Sequence, residues 1–275
     1  MTKPAHPNLG QIFRPIVQGI GLVSAELQRA GEQAQAAAKS WSATLEPFTR
    51  EFKAWLEQLP QWEEEVATKT AQRGWYLDPD MNVVQIREIA DALCDETKLE
   101  EVERELCDWY TERLPQIELN LKRWYPTRAD LIRQAFETHR LELFGASIPL
   151  MLAQADGLVY DSTNGQSQLY KWAGKKLGDH LGKWCKEGFK TGFFTAITGK
   201  STLTLDESKR DEAFRHSGLL NRHAVLHGED TDYATRMNGL RATSLLYFVA
   251  WMLHDLMQDD PILARPLAGS ANAGK

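Results

Sequence analysis

Chemistry is most concentrated in one octet, Asn221-Arg222-His223-Ala224-Val225-Leu226-His227-Gly228. Two histidines four residues apart on a helix lie about 40° from each other around its axis, so their imidazoles share a side. Gly228 suits the left-handed position that ends a helix. His227 then stands at a helix C-terminus, where the dipole favours a protonated ring. An imidazole with an ordinary pKa of about 6.5 gives or takes a proton at neutral pH. A guanidinium beside it, that of Arg222, can hold a phosphate through a two-pronged hydrogen bond. Together these groups supply what cleavage of RNA by its own 2′-hydroxyl requires. The imidazole moves protons and the guanidinium stabilises charge on the phosphorane, with no metal or other cofactor. Two other readings fit the same residues. Asn221, Arg222 and His227 can simply tie down helix ends. His223 and His227 can ligate zinc, with Glu229, Asp230 or Asp232 as a third ligand. Against zinc, His-Ala-Val-Leu-His lacks the Glu that metalloproteases place after the first histidine.

Two further stretches carry candidate residues. Gln154 and Asp156 sit in an otherwise apolar helix. A carboxylate in such a stripe usually pairs with a base. Asp156 is therefore expected to face the motif and orient Arg222 or His227, the alternatives being an ordinary ion pair or an exposed helix face. His139 and Arg140 precede the same hairpin and can reach the site, but a surface role is the expectation. The stretch from Tyr170 to Lys190 holds Lys171, Lys175, Lys176, Lys183, Lys186 and Lys190 against Asp179 and Glu187. Tyr170, Trp172, Trp184 and Phe189 are interleaved with them. Ammonium groups for phosphates and rings for stacked bases compose a single-strand binding surface. On that reading Lys171, Lys175, Lys176, Lys183 and Trp172 contact the substrate. The alternative is an amphipathic helix with its lysines outward and its rings in the core.

The elements that must position these groups are helices. Ile12, Ile16, Ile20 and Val23 recur at helical spacing within residues 11–40, and a second helix is expected over 47–59 and a third over 62–72, stopping at Gly74. Gly74-Trp75-Tyr76-Leu77-Asp78-Pro79-Asp80 reads as a turn-rich joint. Helices follow over 83–93 and 97–125. The second carries a sustained apolar stripe from Leu99 to Trp124, with Pro115 expected to bend it. Residues 88–118 hold eleven acids and three bases, which reads as a solvated helix face. Further helices are expected over 128–140, 141–160, 219–227 and 233–258, the last capped by Asp232. Residues 198–210 read as a loop. Thr202-Leu203-Thr204-Leu205 alternates, but strand signals are otherwise nearly absent. The expectation is an all-α protein in four parts. These are an N-terminal amphipathic region (1–73), an acidic helical region (74–126), a helical bundle (127–260) with a basic and aromatic insertion at 166–216, and a disordered tail (261–275).

Composition sets the outer limits. The chain has 275 residues and a formal net charge of −6, so it is no generic basic nucleic-acid coat, and any RNA contact must be local. The longest apolar run, Leu245 to Leu253, is far short of the roughly 20 residues a membrane span needs. The first residues show no apolar signal core. Cys94, Cys107 and Cys185 form no Cys-x-x-Cys pair, and reduced thiols in a cytoplasm are the simplest account. Neither a phosphate-binding Gly-rich loop nor a Gly-x-Ser-x-Gly elbow occurs.

The Arg222-x4-His227 spacing, with a polar residue directly after the arginine and a long helix following, resembles the signature of the HEPN superfamily. The wider stretch is similar to a group of uncharacterised bacterial proteins that end in this motif. It runs from Gly74-Trp75-Tyr76-Leu77-Asp78-Pro79 through Ile148-Pro149-Leu150-Met151-Leu152-Ala153-Gln154-Ala155-Asp156-Gly157 to Leu246. The resemblance covers roughly residues 74 to 257. It implies a helical bundle, metal-independent endoribonuclease activity, and a homodimer in which two motifs form one composite site. It also implies a role as a toxin or in phage defence, with an inhibitory or defence-system partner protein. The segment 166–216 is longer than a minimal bundle of this type requires. The rival expectation is a non-catalytic helical adaptor, docking a protein partner through its acidic helices or its N-terminal amphipathic segments, or an RNA- or nucleotide-binding module.

Overall fold

The structure, a computed structural model, describes residues 64–165, 169, 201–204 and 217–259, together with positions 31, 32, 35 and 46. The chain divides into two compact units, Met1–Gln58 and Leu59–Lys275. In the first unit the four described positions are helical and exposed. The remainder of the helices expected over 11–40 and 47–59 lies outside the described residues, as do the basic stretch 170–190 and the tail 261–275.

The second unit is all-α, with seven helices and no strand among its described residues. They are α1 (64–72), α2 (Val83–Ala92), α3 (Leu99–Trp124), α4 (Ala129–Arg140), α5 (Phe144–Ser162), α6 (Arg222–Leu226) and α7 (Arg236–Asp259). Local chemistry accounts for the ends. Asn82 caps α2 by accepting from the backbone N–H of Val84 and Gln85, and Gln85 returns a bond to the Asn82 N–H, a reciprocal capping box. Helix α3 buries Val102, Leu106, Tyr110, Leu114, Ile117 and Leu121 along one stripe. It runs unbroken through Pro115, whose ring is exposed.

Four helices close a ring: α3 packs on α4, α4 on α5, α5 on α7, and α7 on α3. Residues 238–250 of α7 are all buried, which is why its sequence is apolar around nearly the whole helix. The acidic helix α3 therefore shares a core with α4, α5 and α7, and the expected boundary at 126/127 is a single 3-10 turn, Pro126–Arg128, inside the bundle. No helix among the described residues is long and apolar enough to cross a membrane.

Two expectations fail at this level. Helix α7 starts at Arg236, and Thr235 caps it, its Oγ1 accepting from the Asn238 N–H at 3.2 Å. Asp232 instead lies in the preceding turn, its N–H donating to Asp230. His139, assigned to the surface, is 5% exposed and meets Phe144 edge-on at 5.2 Å. Gly239 makes room for it, since a Cβ there would approach the imidazole to 2.6 Å. Burial, reinforced by Arg236 and Arg140, lowers the His139 pKa to about 4, so the ring is neutral at physiological pH.

The segment 74–80 is no open joint. Its turn chemistry is as expected: Gly74 takes the left-handed conformation (φ 76°), and the Asp78 carboxylate accepts from the Asp80 N–H. Yet Trp75, Tyr76, Leu77 and Asp78 are all buried. Trp75 stacks on Tyr110 at 5.8 Å, and the Tyr110 hydroxyl donates to the Tyr76 carbonyl. The segment is a strap laid across α3 and α7.

Candidate functional site

The motif folds as its residue types dictate. Asn221 has extended backbone, and its side-chain oxygen accepts from the Ala224 N–H at 3.0 Å, capping α6. Its amide donates to the Thr202 carbonyl at 2.8 Å, and the residue is buried. At the other end Gly228 is left-handed (φ 72°). The Glu229 N–H returns to the Ala224 carbonyl at 2.8 Å and the Gly228 N–H to Val225 at 3.3 Å. This is a Schellman closure, and it fixes His227 as the last residue of the turn.

Between these caps stand the chemical groups. The imidazoles of His223 and His227 lie nearly parallel, 9° apart in plane, with centroids 5.9 Å apart. His223 is half-buried and His227 exposed. Arg222 is half-buried, and its Nε is enclosed. Five residues along a helix amount to about 140° of rotation, so Arg222 leaves the axis on a different side from His227. Leu220, Ala224 and Val225 anchor the turn in the core, and α6 rests on α5 and on the 3-10 turn Thr202–Thr204.

Asp156 is half-buried on α5, the helix beneath α6. Its neighbours face elsewhere. Gln154 and Asp161 accept from Arg128 at 3.1 and 2.7 Å, and the Gly157 carbonyl does so at 3.0 Å. A Cβ at Gly157 would lie 2.2 Å from the guanidinium, so a larger residue there would have to push the Arg128 side chain aside. The structure thus brings Asn221, Arg222, His223 and His227 onto one short turn, with Asp156 on the adjoining helix. Lys171, Lys175, Lys176, Lys183 and Trp172 lie outside the described residues. Among the described residues no group of three or more His, Cys, Asp and Glu side chains is placed to hold a metal ion.

Two buried polar networks escaped the sequence reading. Asp78 accepts from Arg113 Nε at 2.5 Å and from the Trp109 indole at 3.2 Å, and Arg113 also bonds Asp80. Arg241 on α7 pairs with Glu103 on α3, donates to Asn238 at 3.0 Å and lies over the Trp75 ring at 5.6 Å. One signal was available for Asp78. A carboxylate following Trp-Tyr-Leu goes inside with its rings, and inside it needs a cation. Arg241 carried a similar hint, as the one charge between Met237 and Leu253.

A third missed element joins these networks to the motif. Ser201, Thr202 and Leu203 are buried in a 3-10 turn rather than in an open loop. Ser201 Oγ bonds the Tyr76 hydroxyl at 2.6 Å, Thr202 Oγ1 donates to the Ala71 carbonyl at 3.4 Å, and the Thr202 carbonyl holds Asn221. Comparison with protein-family models, with curated proteins and with solved structures finds no match to this chain.

Proposed function

We propose that the protein is a metal-independent endoribonuclease whose site is the Asn221–Gly228 turn. The observation that carries this reading is the pair of parallel imidazoles, His223 and His227, held by caps at both ends of one turn and open to solvent at His227. In the proposed reaction His227 takes the proton from a ribose 2′-hydroxyl. The 2′-oxygen attacks phosphorus, and the bond to the 5′-oxygen breaks. A protonated imidazole supplies the proton to that 5′-oxygen. The products are a 2′,3′-cyclic phosphate and a free 5′-hydroxyl. Arg222 binds the phosphate and stabilises its extra charge. His223 supports His227, and Asp156 orients the basic groups from α5. Asn221 is a positioning residue, because its oxygen and amide are already committed to Ala224 and Thr202.

A homodimer would set two such turns beside one RNA strand, and the family that the motif resembles suggests a toxin or defence role with an inhibitory partner. The test is cleavage of mixed RNA in excess EDTA. The wild type should leave cyclic phosphate ends, and His227→Ala should lose about 10²-fold or more in rate while staying folded. Equal cutting by both proteins, or cutting only with added metal, would reject the site. An adaptor without activity is the second reading, and a groove lined by none of the motif residues favours it.

A further inference from the structure

That groove lies between α2 and α3, with a volume of about 820 Å³. Its floor is apolar: Ile89 and Ala92 from α2, and Val102, Leu106 and Trp109 from α3. These residues repeat at three and four positions, so the floor follows the helix axes. From Lys98 to Trp109 the wall is about 16 Å long, or three helical turns. Its rim is acidic, with Glu88, Asp91, Asp95, Glu101 and Glu105 against the single base Lys98.

Not all of this charge is neutralised by the described residues. Lys69 bonds Asp91 at 3.0 Å, and Lys98 approaches Asp95 to 3.8 Å. Glu88 on α2 and Glu105 on α3 are exposed and make no ion pair among the described residues. One lies on each wall. Like charges flanking an apolar trough repel each other and are relieved by a cationic occupant.

We propose that this groove docks a basic amphipathic helix of a partner protein. Apolar side chains at i, i+3 or i+4, and i+7 would seat on the floor, and flanking Lys or Arg would meet Glu88 and Glu105. A helix-in-groove complex uses that spacing, and three turns fill the groove's length. The charge pattern selects the occupant, since neither an acidic peptide nor a nucleic acid fits a rim of this sign.

The experiment uses the full chain and a fluorescein-labelled Leu/Lys peptide of about 14 residues, four helical turns with all leucines on one face. The control peptide has the same composition in an order that scatters the leucines. At about 0.15 M salt the amphipathic peptide should bind in roughly the micromolar range, and the scattered one at least about tenfold more weakly. The double variant Glu88→Lys/Glu105→Lys should weaken binding by about tenfold or more, and Ala92→Trp should do the same by filling the floor. Glu100→Lys/Glu112→Lys, at exposed positions of α3 outside the groove, should stay within about twofold of wild type. Equal binding of the two peptides, or equal loss in both double variants, would show general charge attraction and overturn the proposal. So would a change in oligomeric state with Glu88→Lys/Glu105→Lys, because the occupant would then be a second copy of this chain. RNA cleavage is read separately and is not needed for either outcome.

Discussion

The strap at 74–80 and the motif at 221–228 are built from similar material. Each is a short run of turn formers with charged and aromatic or imidazole side chains, and each has a left-handed glycine at one end. The first closes on itself: Asp78 is buried and answered by Arg113 and Trp109, and Tyr76 by Ser201 and Ser244. The second is anchored from below by Asn221, while His227 remains exposed. The difference teaches where chemistry can reside. A polar group whose bonding capacity is filled inside the core holds the fold. One fixed by its backbone but open at its tip can meet a substrate. The segment 201–204 serves both regions, so loosening the strap should reach the motif through Ser201, which bonds Tyr76, and its neighbour Thr202, which holds Asn221.

The largest expected effect falls on the buried side of that comparison. Arg241→Ala leaves the half-buried Glu103 without its cation and strips a contact from Trp75. It should destabilise the protein by about 3–5 kcal/mol in denaturant titration. A loss below about 1 kcal/mol would show that the buried network is dispensable.

Next comes the contrast between two histidines. His139 is buried and neutral with its pKa near 4, whereas in the unfolded chain a histidine titrates near 6.5. Its contribution is therefore intact above about pH 6.5, where neither state is charged. It is lost as pH falls toward 4, because the unfolded state binds the proton first. The loss approaches about 3 kcal/mol, and His139→Gln should flatten that part of the stability–pH curve. An unchanged slope between pH 6.5 and 4 in the variant would assign it to other groups.

Smaller still is the cap. Asn221→Ala removes the bond to the Ala224 N–H and leaves the Thr202 carbonyl without its donor. It should lower stability by about 1–2 kcal/mol, with RNA cleavage falling as well. Stability loss with full activity would remove Asn221 from its positioning role. The smallest effect on folding sharpens the comparison most. His227→Ala, at an exposed helix end, should change stability by less than about 0.5 kcal/mol. A loss as large as that of Arg241→Ala would make the motif a structural turn like the strap.

Much of the helical framework was legible in advance. The stripe from Leu99 to Trp124 and the pairing of Asn221 with Gly228 are local patterns, set by a 3.6-residue period and by capping within a few positions. The expected ends at 97–125 and 128–140 differ from the observed Leu99–Trp124 and Ala129–Arg140 by two residues at most. The strap, His139 and the 201–204 turn were misplaced for one reason. Each is polar or turn-rich in its own neighbourhood and is buried by residues far along the chain. Gly239 lies a hundred positions from His139, and Ser201 lies 125 from Tyr76.

By itself, then, the sequence determined that the described part of this chain is helical, where α3 and α4 start and stop to within two residues, and that His223 and His227 share one side of a capped turn. These follow from hydrogen bonds and side-chain contacts within a turn or two of each residue. Only the tertiary structure decided which polar groups became a sealed interior and which stayed open. It placed Glu103 against Arg241, Arg113 against Asp78, and α2 beside α3 with Glu88 and Glu105 making no ion pair among the described residues. Whether a charge is buried or exposed depends on what the rest of the chain packs over it, and no local spacing records that.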